Sequence, residues 1–167
     1  METISYRPCV GIMLLNPKGL VFVGRRRNKK IPEHLRNGHA WQMPQGGIDA
    51  GEEPYTAALR ELREETNVSS TSFLAESPDW YSYELPGDIS KKSWKGRFQG
   101  QRQKWFALRF DGNESEIDIE TPAGGQRPEF DAWRWESMDR LAELIIPFKR
   151  PVYEKVIETF SHLAERP

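Results

Sequence analysis

Three carboxylates, Glu61, Glu64 and Glu65, crowd into one short stretch, "GGIDAGEEPYTAALRELREETNV", residues 46–68. On a helix, residues four apart lie one above the other, so Glu61 and Glu65 share a face and Glu64 borders it. Like charges at these spacings repel. The face is therefore either solvated, with Arg60 and Arg63 as surface partners, or neutralised by something positive. The preceding loop holds Gly46, Gly47 and Gly51, and glycines let backbone amides and carbonyls approach a ligand closely. Carboxylates converging beside such a loop suit a hard divalent cation, Mg²⁺ or Mn²⁺. These ions prefer oxygen ligands and are commonly held by a few carboxylates together with substrate phosphates. A polyphosphate repels a nucleophile through its own charge. A metal ion offsets that charge, orients the chain and lowers the pKa of a bound water. A carboxylate within hydrogen-bond reach then takes the proton. The chemistry such a site supports is phosphoryl transfer, where catalysis is mostly positioning and charge stabilisation.

The element that must carry these groups is a helix over about Pro54 to Thr66. Pro54 suits the first turn, where its missing N–H costs nothing. Tyr55, Ala58, Leu59, Leu62 and Thr66 recur at helical spacing and predict an inward face. Asn67 can close the helix in the left-handed region. Upstream, "VGIMLLN" and "LVFVGRR" read as strands joined by a turn at Pro17 and Gly19. "RRRNKKIPEHLRNGHA" reads as a basic irregular loop, and "AWQMPQGG" as a short segment ending in a glycine turn. Downstream, "SFLAES", "WYSYELP", "KWFALRFDG" and "PEFDAWRWESM" read as strands, and the alternation of "EIDIE" suggests another. "DRLAELI" and "RPVYEKVIETFSHLAER" read as helices, the last amphipathic through Val152, Val156, Ile157, Phe160 and Leu163. Helices packed on a mixed sheet follow from this order.

The chain has 167 residues, enough for one domain with a real core, and no repeat or low-complexity linker divides it. A net charge of -1 points to neither nucleic acid nor membrane as a whole. The single cysteine, Cys9, excludes an internal disulfide, fits a reducing compartment and reads as a small buried strand residue. The apolar run from Val10 to Leu15 is too short for a signal core or a membrane span. The expectation is a cytoplasmic protein.

The spacing from Gly46 through Glu52 and Arg60 to Val68 resembles the Nudix box, G-x5-E-x7-R-E-U-x-E-E-x-G-U with U aliphatic. Gly46, Glu52, Arg60, Glu61, Leu62, Glu64, Glu65 and Val68 match. Asn67 departs where the family has glycine, and asparagine tolerates the same left-handed conformation. The resemblance implies an α/β (α+β) fold, a mixed sheet sandwiched between helices, over a single domain, 1–167, with its box at 46–68. It implies hydrolysis of a nucleoside diphosphate linked to another group, with Mg²⁺ or Mn²⁺, more than one ion, on the box glutamates. Glu61, Glu64 and Glu65 then hold metal or deprotonate water, Gly46 stands at the metal, and Glu52 and Arg60 form an ion pair that fixes the loop on the helix. Such a family also includes proteins that bind nucleotides without hydrolysis, but these lose box glutamates, which are all present here.

"YRPCVGIMLLN", "WQMPQGGIDAGE", "QKWFALRF", "PEFDAWRW" and "PFKRPVY" resemble one branch, the bacterial RNA pyrophosphohydrolases and the related dinucleoside polyphosphate hydrolases of bacteria and plants. By that resemblance Glu129 supplies a further metal-binding carboxylate. Arg7, Arg26 and Lys104 resemble phosphate-binding residues, since arginine can hold phosphate bidentately. Phe148, near Ile146, resembles an apolar nucleobase platform, and Tyr83 is a second stacking candidate. The stretch from Lys91 to Lys104 carries Lys91, Lys92, Lys95, Arg97, Arg102 and Lys104 with Trp94 and Phe98 interleaved, and reads either as a solvated loop or as an RNA-backbone track. The implied substrate is RNA with a 5'-triphosphate, or a dinucleoside tetra- or pentaphosphate.

Overall fold

The structure is a computed structural model, described over residues 6–27, 40–85 and 99–164. Among the described residues there are eight strands: β1 (Tyr6–Leu15), β2 (Val21–Arg26), β3 (Trp41–Gln42), β4 (Gln45–Gly47), β5 (Thr71–Glu76), β6 (Tyr81–Glu84), β7 (Gly100–Phe110) and β8 (Phe130–Glu136). Helix α1 spans Pro54–Thr66, α2 Leu141–Leu144 and α3 Arg150–Phe160. The sheet runs β3-β2-β1-β7-β5, with β4 also paired to β1, β6 to β7 and β8 to β2. β1 and β7 are parallel and every other pair is antiparallel. This mixed sheet lies between helices, as expected.

Strand alternation makes two cores. Even positions of β1 and β7, Val10, Ile12, Leu14, Phe106 and Leu108, pack with Ala57, Ala58 and Leu62 of α1. Odd positions, Met13, Leu15, Trp105 and Ala107, pack with Val152, Tyr153, Val156 and Phe160 of α3. A sheet buried on both faces explains why β1 and β7 read as nearly continuous apolar runs.

Helix α1 has the expected bounds. Its first turn carries Pro54, and Asn67 closes it with φ 66°, its N–H donating to the Arg63 carbonyl at 2.8 Å. The buried face differs from expectation. Leu59 is 36 % exposed, while Ala57 and Glu65 are buried together with the expected Ala58, Leu62 and Thr66. The row Ala57–Glu61–Glu65, spaced four apart, is turned toward the sheet edge instead. The acidic face is thus a buried edge of the helix, not its solvent side.

Two other elements depart from the reading. "EIDIE" is no strand: residues Glu114–Glu116 form a 3-10 turn, and Ile117 and Ile119 are buried under α1 without a ladder. Their alternation reflects burial alone. The strand expected to begin at Lys104 begins at Gly100, so Arg102 and Lys104 belong to β7. Lys91, Lys92, Trp94, Lys95, Arg97 and Phe98 lie outside the described residues. Among the described residues no helix is long and apolar enough to cross a membrane.

Candidate active site

β4 brings the glycine loop to α1. It pairs with the start of β1, Cys9 opposite Gly47 and Val10 opposite Gly46. Both glycines stand where a side chain would collide with a charged group. A Cβ on Gly46 would overlap the Glu61 carboxylate, and one on Gly47 would overlap the Arg7 guanidinium. The two missing side chains make room for an acid and a base side by side.

Arg60 is the hub of the outer half. Its Nε and Nη2 donate to both oxygens of Glu52 at 2.9 Å, a bidentate fork, and Nη2 also donates to the Gly47 carbonyl at 2.9 Å. Nη1 donates to Glu61 at 2.9 Å and to Glu64 at 3.2 Å. Glu52 in turn accepts the Asp49 N–H at 3.0 Å. The Arg60 hydrogen bonds, with that of Asp49, hold the Glu52 carboxyl down at about 2. Bidentate charge-assisted bonds are the strong kind, so the loop is locked to the helix. Glu52 and Arg60 thus sit as a loop-to-helix ion pair.

The inner half is not self-satisfied. Glu65 is buried, and its Oε2 has no hydrogen-bond partner among the described residues. The Gln45 N–H donates to this carboxyl, but burial first, then the Glu129 and Glu61 charges, push its pKa well up. Burial also raises Glu61, against the pull of Arg60. Glu129, just before β8, lies 3.5 Å from Arg26, whose Nε likewise has no hydrogen-bond partner among the described residues. Buried charges without partners are costly, and a cation between Glu61, Glu65 and Glu129 would remove that cost.

Among the described residues no three acidic, histidine or cysteine side chains already form a closed ligand cage. Arg60 holds Glu61 and Glu64 through its hydrogen bonds, and Glu129 pairs with Arg26. An all-protein cage is not what such an ion requires, since Mg²⁺ keeps several waters and takes one or two carboxylates plus phosphates. The orphaned Glu65 oxygen, the glycine cradle and the oxygen-only donor set fit a hard divalent cation. The residues that could hold it are Glu61, Glu64, Glu65 and Glu129, beside Gly46.

The remaining expected residues divide. Arg26 sits at the inner half beside Glu129, and Arg7 lies against Gly47, where its charge acts on Glu61. Tyr83 and Phe148 meet with ring centroids 5.8 Å apart, Phe148 partly exposed. Ile146 is 3 % exposed and belongs to the core beside them. Lys104 is on the α1 face of β7 and pairs with Glu76 at 3.4 Å, so the structure joins it to that carboxylate and not to the cluster.

Lys149 was not anticipated. It is 4 % exposed, its Nζ 5.5 Å from the Tyr83 ring centre. Burial, then the nearby Arg26 charge, brings its pKa down to about 7 against the pull of Glu129, Cys9 and Glu65. Its only sequence signal was its place in "PFKRPVY". A polar chain also runs across the floor: Trp105 Nε1 donates to Gln103 at 3.1 Å, and Gln103 donates to Gln45 and Gln101 at 2.9 Å each. Uncharged glutamines on a strand carried no signal at all.

This geometry and the sequence agree with known families. The NUDIX domain matches residues 5–156. The chain belongs to the Nudix family, whose hydrolases generally need divalent cations. A protein of Bradyrhizobium diazoefficiens named RNA pyrophosphohydrolase is 57 % identical over 164 residues, covering 98 % of this chain and 97 % of that protein. One of the same name from Azorhizobium caulinodans is 56 % identical over 165 residues, covering 98 % and 97 %. The E. coli dihydroneopterin triphosphate pyrophosphohydrolase shares the fold at TM-score 0.65 and 18 % identity, over 92 % of this chain and 98 % of that one. A C. elegans Ap4A hydrolase does so at TM-score 0.59 and 13 % identity, over 92 % and 98 %.

Proposed function

We propose that this chain is a metal-dependent RNA pyrophosphohydrolase, a hydrolase of phosphoric anhydride bonds that turns a 5'-triphosphate RNA end into a monophosphate. The observation that carries it is the co-location of a Nudix box matched at every specified position but Asn67 with a buried Glu65 whose Oε2 has no hydrogen-bond partner among the described residues, in a chain matched over 98 % of its length by a relative of that name. The active unit is one domain, 1–167, working in the reducing cytoplasm that its single thiol suits.

Glu61, Glu64, Glu65 and Glu129, with Gly46 at the loop, hold Mg²⁺ or Mn²⁺, in more than one ion. When bound, the metal supplies charge neutralisation of the triphosphate and acidifies the attacking water. Arg7, Arg26 and Lys149 oppose the phosphate charge from the other side. A box glutamate within hydrogen-bond reach accepts the water proton as the water oxygen adds to phosphorus and pyrophosphate leaves. Glu52 and Arg60 keep the loop rigid, because catalysis by positioning tolerates little movement. Phe148, partly exposed, offers a ring surface to a base, while Tyr83 is buried against it and, with Ile146, backs it instead of stacking directly, which suits a site tolerant of base identity.

A competition tests the reading. The purified protein with Mg²⁺ receives equal concentrations of a short 5'-triphosphate RNA and diadenosine tetraphosphate. Faster conversion of the RNA is expected. Faster release of ATP from the dinucleotide would make the chain a dinucleoside polyphosphate hydrolase instead.

A further inference from the structure

The one box position that departs from the family pattern uses its side chain. Asn67 takes the left-handed conformation that closes α1, and glycine would satisfy that backbone need equally well. What asparagine adds is an amide. Its Nδ2 donates to the Asp118 carbonyl at 2.8 Å and to the Thr121 carbonyl at 3.0 Å. The receiving turn is self-supporting. The Asp118 carboxylate accepts the N–H of Glu120 at 2.9 Å, that of Thr121 at 3.1 Å, and the Thr121 hydroxyl. The Asp118 N–H donates to the Thr66 carbonyl at 2.9 Å.

Further along, Gln126 Nε2 donates to the Glu64 carbonyl at 2.9 Å, and Gly124 lies against the Glu64 side chain. Glu129 follows, its carbonyl accepting the Arg27 N–H at 3.0 Å. From Asp118 to Glu129 the chain has no helix or strand to hold it. Two side-chain amides, from residues 67 and 126, therefore tie this segment to the end of the helix that carries Glu61, Glu64 and Glu65.

We propose that Asn67, with Gln126, is a positioning residue for metal binding: the two amides clamp residues 118–129 to α1 and hold the Glu129 carboxylate opposite Glu65. This rests on the reading of Glu129 as a metal ligand. The clamp acts through Glu129 and touches neither metal nor substrate.

Direct Mn²⁺ binding to EDTA-treated protein, read by the electron paramagnetic resonance of free Mn²⁺, tests it. The set is wild type, Asn67→Gly, Gln126→Ala, Glu129→Gln and the Asn67→Gly/Glu129→Gln double variant, with a thermal melt of each. Asn67→Gly restores the family's own residue, so the helix end survives. Asn67→Gly is expected to weaken Mn²⁺ binding by about tenfold, the lower end of the loss for supporting partners of metal ligands, and Glu129→Gln by at least as much. In the Glu129→Gln background Asn67→Gly adds less than about a further twofold, because coupled residues are non-additive. Gln126→Ala acts in the same direction as Asn67→Gly. Unchanged Mn²⁺ affinity in Asn67→Gly, with a lower melting temperature, would make Asn67 a helix cap only and overturn the clamp. Equal losses in both backgrounds would overturn action through Glu129. No loss in Glu129→Gln would remove the ligand reading itself, and the clamp with it.

Discussion

The two halves of the glutamate cluster are built on opposite plans. In the outer half every charge has a partner: Glu52, Glu61, Glu64 and the Gly47 carbonyl all bond to Arg60. In the inner half, Glu65 Oε2 and Arg26 Nε are buried with no hydrogen-bond partner among the described residues. Glu61, Glu64 and Glu65 share one helix, while Arg26 and Glu129 reach the inner half from β2 and from the segment before β8. The difference separates Glu52, whose partners all lie within the protein, from Glu65, whose unsatisfied oxygen would face the proposed ion; Glu61 and Glu64 bond to Arg60 and stand beside it as proposed ligands. A buried polar group left unsatisfied costs about 1–3 kcal/mol, and a protein retains such a cost where a bound ion or phosphate removes it.

The sharpest break is chemical. Glu65→Gln or Glu64→Gln should lower the rate of triphosphate-RNA hydrolysis by about a hundredfold or more, the scale of losing one transition-state partner. Near-normal turnover in both would end the metal-site assignment. Glu65→Gln should at the same time raise the melting temperature in EDTA, because it neutralises a buried charge.

Next comes the outer half, where the effect is on stability. Glu52→Gln should cost about 1–3 kcal/mol in urea unfolding at pH 7, the worth of hydrogen bonds to a charged group. The folded carboxyl sits at about 2 against an ordinary 4.5. Its stabilisation is therefore full above 4.5 and lost as pH falls through about 2. The gap between variant and wild type should close over that window. A gap independent of pH would argue against the ion pair as its source.

A smaller effect separates the halves by pH. Glu65 is raised in the folded state, so the folded protein binds more protons than the unfolded chain above 4.5. Metal-free stability then falls as pH rises through the raised value. Added Mg²⁺ should reverse this, and its stabilising shift in melting temperature should be larger at pH 8 than at pH 6 by a few degrees. An equal shift at both would disconnect the ion from Glu65.

The smallest effect belongs to a cation outside both halves. Lys104→Ala should change KM for triphosphate RNA by less than about twofold and stability by about 0–1 kcal/mol, as its partner is Glu76. Arg26→Ala should raise KM far more. A large KM effect at Lys104 would mean that the ion pair opens to admit substrate.

Much of the outer half was legible from spacing. Pro54, Asn67 and the interval from Gly46 to Val68 delimit the helix and its loop, because capping and helical periodicity are local properties. Leu59 was misplaced because periodicity fixes a stripe only to within a residue, and the partner that decides its centre is the sheet edge at β4. "EIDIE" was misread because alternation reports burial, while a strand also needs a neighbour to pair with.

The sequence alone determined the kinds of groups present and their spacing on α1, since i and i+4 positions meet whatever the rest of the chain does. Only the tertiary structure decided which of those groups are satisfied. Glu65 becomes a buried acid with one unsatisfied oxygen because β4 and the segment before β8 bring Gln45 and Glu129 to it. Lys149 becomes a buried cation because α3 packs the turn before it against Tyr83. Burial and charge pairing arise from residues far apart in the chain, and no local pattern records them.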